Sequence, residues 1–87
     1  MRATVTQALV VRQLRDNGEL YGLQIIEATG VSSGTLYPML LRWQQQGLVR
    51  VRTERQTDAP SRRWYRLTKR GEKEADDMVA RWRQVLA

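Results

Sequence analysis

The sequence predicts a mainly α-helical fold that carries a small β-hairpin. Apolar residues recur at a spacing near 3.6 across residues 4–17, 20–29, 32–46 and the stretch after Thr68. Between residues 48 and 67 the period falls to two. Glycines at positions 18, 30 and 47 close the first three helical stretches.

Each element has its own local reason. Thr4 and Gln7 have the spacing of a capping box, and Val5, Leu9, Val10 and Leu14 give the first helix its apolar stripe up to Gly18. Leu23, Ile25 and Ile26 are the apolar content of a second helix over 20–29. Gly22 inside it costs about 1 kcal/mol against Ala, which points to a close helix–helix approach there. Ser32 or Ser33 caps a third helix running to about Gln46, with Leu36, Leu40 and Trp43 at i, i+4 and i+7. Pro38 falls within its first two turns, where the missing N–H is a mild cost.

From Leu48 onward Val49, Val51 and Thr53 alternate with Arg50, Arg52 and Glu54, the pattern of a half-buried strand. Residues 57–61 read as a turn, and 62–67 return as a second strand with Tyr65 and Leu67 on one face. Thr68 caps a last helix that runs to the C-terminus. Ala75, Met78, Val79, Trp82 and either Val85 or Leu86 form its apolar stripe, with nothing in the chain expected to cover it.

Composition bounds the function. Eighty-seven residues allow one domain. A chain this short buries only about 60–65% of its unfolded surface, so it gains from a partner chain. The 41% hydrophobic content is that of a folded domain. The net charge of +6, from 15 Lys and Arg against 9 Asp and Glu, points to an anionic partner. With no Cys and no His there is no thiol chemistry, no imidazole base and no imidazole metal ligand. Glu72, Glu74, Asp76 and Asp77 fall on or beside the solvated face of the last helix, so no catalytic carboxylate pair is expected and an enzyme fits poorly. No cofactor is expected either. The longest apolar run, residues 8–11, is far short of the ~20 residues that span a bilayer, and the N-terminus lacks the pattern of a secretory signal. A soluble, cytoplasmic protein without a membrane partner is the expectation.

Three helices, a two-stranded hairpin and a closing helix, in that order, describe a winged helix-turn-helix. Residues 1–68 form the winged unit and 69–87 the closing helix. Only Gly30 and Val31 separate the second helix from the cap of the third, as in helix-turn-helix units, where the third helix presents its N-terminal residues to the major groove. Winged helices also serve as protein–protein modules or replication accessory factors, a reading that the basic charge opposes.

Four blocks carry a family resemblance: residues 21–26 (Tyr-Gly-Leu-Gln-Ile-Ile), 32–38 (Ser-Ser-Gly-Thr-Leu-Tyr-Pro), 47–49 (Gly-Leu-Val) and 62–68 (Arg-Arg-Trp-Tyr-Arg-Leu-Thr) with Gly71. Together they resemble the short-form members of the PadR family of bacterial transcriptional regulators. The resemblance implies a homodimeric winged-helix repressor on a palindromic operator. Leu41 and the Gln44-Gln45-Gln46 run depart from it, replacing positions commonly charged in the family, so phosphate attraction falls to Arg42 and the wing.

The residues expected to meet double-stranded DNA follow from these placements. Ser32, Ser33, Gly34 and Thr35 sit at a helix start, where unpaired backbone N–H groups attract phosphate. Ser33 and Thr35 read as caps or as base and phosphate contacts. Tyr37 reads as a phosphate donor or a half-buried packing residue, and Pro38 as a thymine-methyl contact or a shaper of the helix start. Arg62 and Arg63 belong to the wing and suit phosphates or a minor groove. Arg50, Arg52 and Arg55 line the exposed strand face, and Tyr21 stands at the start of the second helix as a backbone contact or a core residue. The dimer interface is expected from Val5 and Leu9 on the first helix, and from Ala75, Met78, Val79, Trp82, Val85 and Leu86 on the last. Some drug-responsive relatives stack planar ligands on a tryptophan of this helix, so the resemblance adds a planar or hydrophobic effector near Trp82.

Overall fold

A computed structural model describes residues 4–86. The elements run α1 (Val5–Asn17), β1 (Glu19–Tyr21), α2 (Gly22–Thr29), α3 (Ser33–Gln45), β2 (Val49–Glu54), β3 (Arg62–Leu67), α4 (Lys69–Arg81) and α5 (Arg83–Leu86). Residues 1–3, assigned above to the winged unit, and residue 87, assigned to the end of the last helix, lie outside the described residues.

The local signals read from the sequence act as expected at most boundaries. The Thr4 hydroxyl accepts from the Gln7 N–H (3.2 Å) while the Gln7 side chain accepts from the Thr4 N–H (3.0 Å), a complete capping box on α1. The third helix ends in a Schellman motif. Gly47 takes φ 75°, its N–H bonds the Gln44 carbonyl (3.1 Å), and the Leu48 N–H reaches the Trp43 carbonyl (2.8 Å). Thr68 caps α4 by accepting from the Gly71 N–H at 3.0 Å, and its hydroxyl donates to the Gly47 carbonyl at 2.7 Å. One threonine thus fixes the start of α4 against the end of α3.

Three expectations are corrected. First, residues 19–21 form a strand instead of opening α2. β1 pairs antiparallel with β3, Leu20 opposite Tyr65 and Tyr21 opposite Trp64, so the hairpin becomes a three-stranded sheet in the order β1-β3-β2. A three-residue strand is too short to show a period of two, and its backbone gains its ladder only from a partner more than forty positions away.

Second, the last helix is not continuous. α4 stops at Trp82 (φ −107°, ψ 19°), whose N–H still bonds the Met78 carbonyl at 3.2 Å, and α5 follows as a single turn. The break turns Leu86 back into the core, where the Arg12 guanidinium donates to its carbonyl.

Third, the apolar stripe of α4 is largely covered. α1 packs along α4, leaving Ala75 0% and Met78 4% exposed, so these two and Leu86 belong to the protomer's own core and not to a free dimer face. The buried side of α1 is wide enough to serve both neighbours, since Ala8, Val10, Val11 and Leu14 are all buried. Val5, Leu9, Val79 and Trp82 stay half-buried and Val85 is exposed.

The core lies between α1, α2, α3 and the inner face of the sheet. Leu14, Ile25, Leu36, Leu40, Trp43 and Tyr65 meet there, with Leu48 and Val49 closing the end near α4. Leucines and isoleucine buried to this degree each contribute about 1.5–3 kcal/mol relative to exposure.

Candidate nucleic-acid interface

The turn between α2 and α3 is held by hydrogen bonds that its own residues supply. Gly30 caps α2 in the left-handed region and its N–H bonds the Ile26 carbonyl (2.8 Å). The Thr29 hydroxyl donates to the Ile25 carbonyl (2.7 Å) and accepts from the Val31 N–H (3.2 Å), while the Val31 side chain is buried. So braced, the turn delivers Ser32 as the N-cap of α3.

The Ser32 carbonyl accepts the N–H groups of Thr35 (3.1 Å) and Leu36 (2.9 Å), and its hydroxyl donates to the Thr35 hydroxyl (3.2 Å). Ser32 therefore caps through its backbone, without a side-chain capping bond. Helix geometry leaves the first N–H groups of α3, at Ser33 and Gly34, directed out of the helix end. Ser32, Ser33, Gly34 and Thr35 are all exposed. This end can receive an anion at the positive pole of a 13-residue helix.

Burial of Leu36, Met39, Leu40 and Trp43 turns the opposite side of α3 to solvent. Tyr37 is 44% exposed, and Pro38, Leu41 and Arg42 are exposed with it. Gly22 explains how Tyr37 is held. A Cβ at that position would stand 2.2 Å from the Tyr37 hydroxyl, so only a glycine lets the ring lie across the start of α2. The close approach expected at Gly22 is thus a tyrosine on a helix backbone.

The two wing arginines part company because a strand alternates its faces. Arg63 points to the inner side and shares a recess with Tyr37, Pro38, Leu41, Gln44 and Tyr65. Arg62 lies on the outer side with its guanidinium 4.1 Å from the centre of the Tyr21 ring, and Tyr21 in turn meets Trp64 edge to face at 5.0 Å. With its amide turned to satisfy both ends, Gln56 donates to the Pro60 carbonyl and accepts from Arg62 Nε, each at 3.2 Å. Arg62, Arg63, Tyr21 and Tyr37 border one cleft between the wing and the helix starts.

Further along the outer face, Arg52 stands 5.4 Å from the Trp64 ring and pairs with Glu19 at 2.7 Å. That hydrogen bond holds the Glu19 carboxyl below its ordinary pKa. Arg50 and Arg55 are exposed on their segments.

The fold thus brings Tyr37 and Pro38 of α3 into one recess with Arg63 and sets Tyr21, Tyr37, Arg62 and Arg63 around one cleft, while Ser32 to Thr35 and Arg42 are exposed on α3 and its cap. It places Tyr21 chiefly as a stacking partner of Arg62. Leu41, Gln44 and the Trp64 stack are additions that the sequence reading missed as site residues. The only signal for the first two was their uncharged character on a helix face. No group of three or more Asp or Glu residues among the described residues could hold a metal ion. No helix among them is long and apolar enough to cross a membrane.

No curated protein matches the chain. Among solved structures, a PadR-like transcription factor from Bacteroides fragilis is 28% identical, with a TM-score of 0.78 over 90% of this chain and 80% of its own. Bacillus subtilis PadR in complex with operator DNA shares the fold (TM-score 0.79, 24% identity) over 91% of this chain, which spans about half of that longer protein (48%). Bordetella bronchiseptica BpsR, whose DNA binding is regulated by 6-hydroxynicotinic acid, also shares the fold (TM-score 0.80, 24% identity) over 98% of this chain and 58% of its own. The model of the transcriptional regulator PadR-like family matches residues 10–77, from the middle of α1 to the last turns of α4. The chain belongs to the PadR-like family of transcriptional regulators, DNA-binding proteins of the winged-helix fold.

Proposed function

We propose that the chain is a homodimeric repressor that occupies an inverted-repeat operator and so blocks access to a promoter. The observation that carries this reading is the recess in which Tyr37, Pro38 and Leu41 of α3 meet the wing's Arg63, with the start of the same helix, Ser33 to Thr35, exposed. In this reading α3 lies in the major groove. Ser33, Thr35, Tyr37 and Pro38 contact base edges or phosphates, while Ser32 and Gly34 shape the anion-binding helix end. Arg42, Arg62 and Arg63 hold flanking phosphates, and Tyr21 supports Arg62. The operator-bound relative from Bacillus, which shares the fold, supports operator DNA as the partner.

Residues 1–68 are the DNA-binding unit and 69–87 the dimerising segment. Val5, Leu9, Val79, Trp82 and Val85 form the shared face, since these remain at the surface once α1 has covered Ala75 and Met78. A small planar ligand beside Trp82 is part of this reading; the relative from Bordetella, whose DNA binding is regulated by 6-hydroxynicotinic acid, supports a small-molecule effector and not its place. No reaction is catalysed, and the protein works in the cytoplasm, where the chromosome is.

Selection of bound duplexes from a random pool tests the reading. An inverted repeat with half-sites about one helical turn apart is expected. A direct repeat, or binding without sequence preference at physiological salt, would contradict it.

A further inference from the structure

We infer that the exposed strip of α3 selects A·T base pairs, by seating thymine methyl groups against Leu41 and Pro38. The inference rests on α3 being the groove-reading helix and adds what it reads. Gly34, Pro38, Leu41 and Gln45 follow one another at i, i+4, i+7 and i+11, opposite the buried side of the helix, and all four are exposed. Leu41 is 54% exposed, so it does little for the protomer's core, yet it lies at the centre of this strip beside the recess that Arg63 closes.

The strip holds no cation and no carboxylate. In the major groove guanine is read by Arg or Lys at O6 and N7, and cytosine by a carboxylate that accepts from N4. Neither group is present along it. An apolar side chain reads the C5 methyl of thymine, and a glutamine amide such as that of Gln45 matches N6 and N7 of adenine. Both belong to A·T pairs. The cations Arg42 and Arg63 flank the strip, where they meet phosphates and leave the central base pairs to uncharged groups.

The experiment takes the duplex selected by the full chain and replaces each thymine in turn by deoxyuridine, which removes only the methyl group. An A·T core in each half-site is expected. So is at least one position where uracil weakens the wild type by about three- to fivefold. Leu41→Ala should lose that discrimination while binding random duplex like the wild type, and Leu41→Gln should do the same. Circular dichroism checks that both variants are folded, as the exposure of Leu41 leads one to expect. A G·C core, a wild type indifferent to uracil at every position, or folded Leu41 variants that still discriminate would each overturn the inference. Failure to select any sequence would instead overturn the DNA-reading role of α3, and the inference with it.

Discussion

Gly22 and Gly71 both sit where a side chain has no room, and the obstacles differ in kind. At Gly22 the obstacle is the far end of the Tyr37 ring, which can swing away; at Gly71 it is the Leu48 backbone carbonyl, 1.9 Å from where a Cβ would stand. Gly22→Ala should therefore keep the fold and displace Tyr37, weakening binding to the selected site. Gly71→Ala should destabilise the fold by about 1–3 kcal/mol, because the carbonyl also accepts the Thr68 N–H and cannot retreat freely. Urea melts and binding isotherms on the two variants check this pair of outcomes. The close approach at Gly22 was legible because glycine inside a helix is unfavourable and asks for a reason. The identity of its neighbour was not, since Tyr37 meets it only after the α2–α3 turn is closed.

At the scale of elements, the sequence carried α1, α3 and the β2–β3 hairpin almost to their ends, because their caps and periods are local. It could not carry β1, whose existence depends on β3. What β1 adds is a support for the wing: Tyr21 meets Trp64 and carries Arg62, and Glu19 pairs with Arg52. Arg62→Ala should reduce the salt slope of DNA binding by about one unit if the guanidinium holds one phosphate. Tyr21→Leu should lower the slope in the same direction, and the double variant should lose no more than Arg62→Ala alone, since the tyrosine acts through the arginine. The Glu19–Arg52 pair has its own signature. Because the folded carboxyl titrates below its ordinary value, the stability it contributes is present at neutral pH and is lost as the pH falls through the folded pKa. The difference in melting temperature between wild type and Glu19→Gln should accordingly be small at pH 7, as for exposed pairs, and vanish in acid.

At the scale of the whole molecule, the apolar stripe of α4 was legible and its partner was not. Periodicity shows that Ala75 and Met78 must be buried, but only the packed structure shows that α1 of the same chain buries them. Met78→Asp should therefore unfold the protomer, while Val79→Asp with Val85→Asp should leave a folded chain that sediments as a monomer where the wild type sediments as a dimer. The proposed recognition surface could be named from the sequence for another reason: its hydroxyls and glycine stand at a helix start, and Ser33, Gly34, Thr35 and Arg63 are exposed. The most direct measurement of its role compares Thr35→Val and Tyr37→Phe with the wild type, on the selected duplex and on random duplex, with circular dichroism confirming the fold. Each variant deletes a hydroxyl and nearly preserves shape. Tyr37→Phe should lose about 0.5–1.5 kcal/mol on the selected site, and Thr35→Val should lose more there than on random duplex. Folded variants that bind the selected site as tightly as the wild type would contradict the assignment of α3 as the helix that reads DNA.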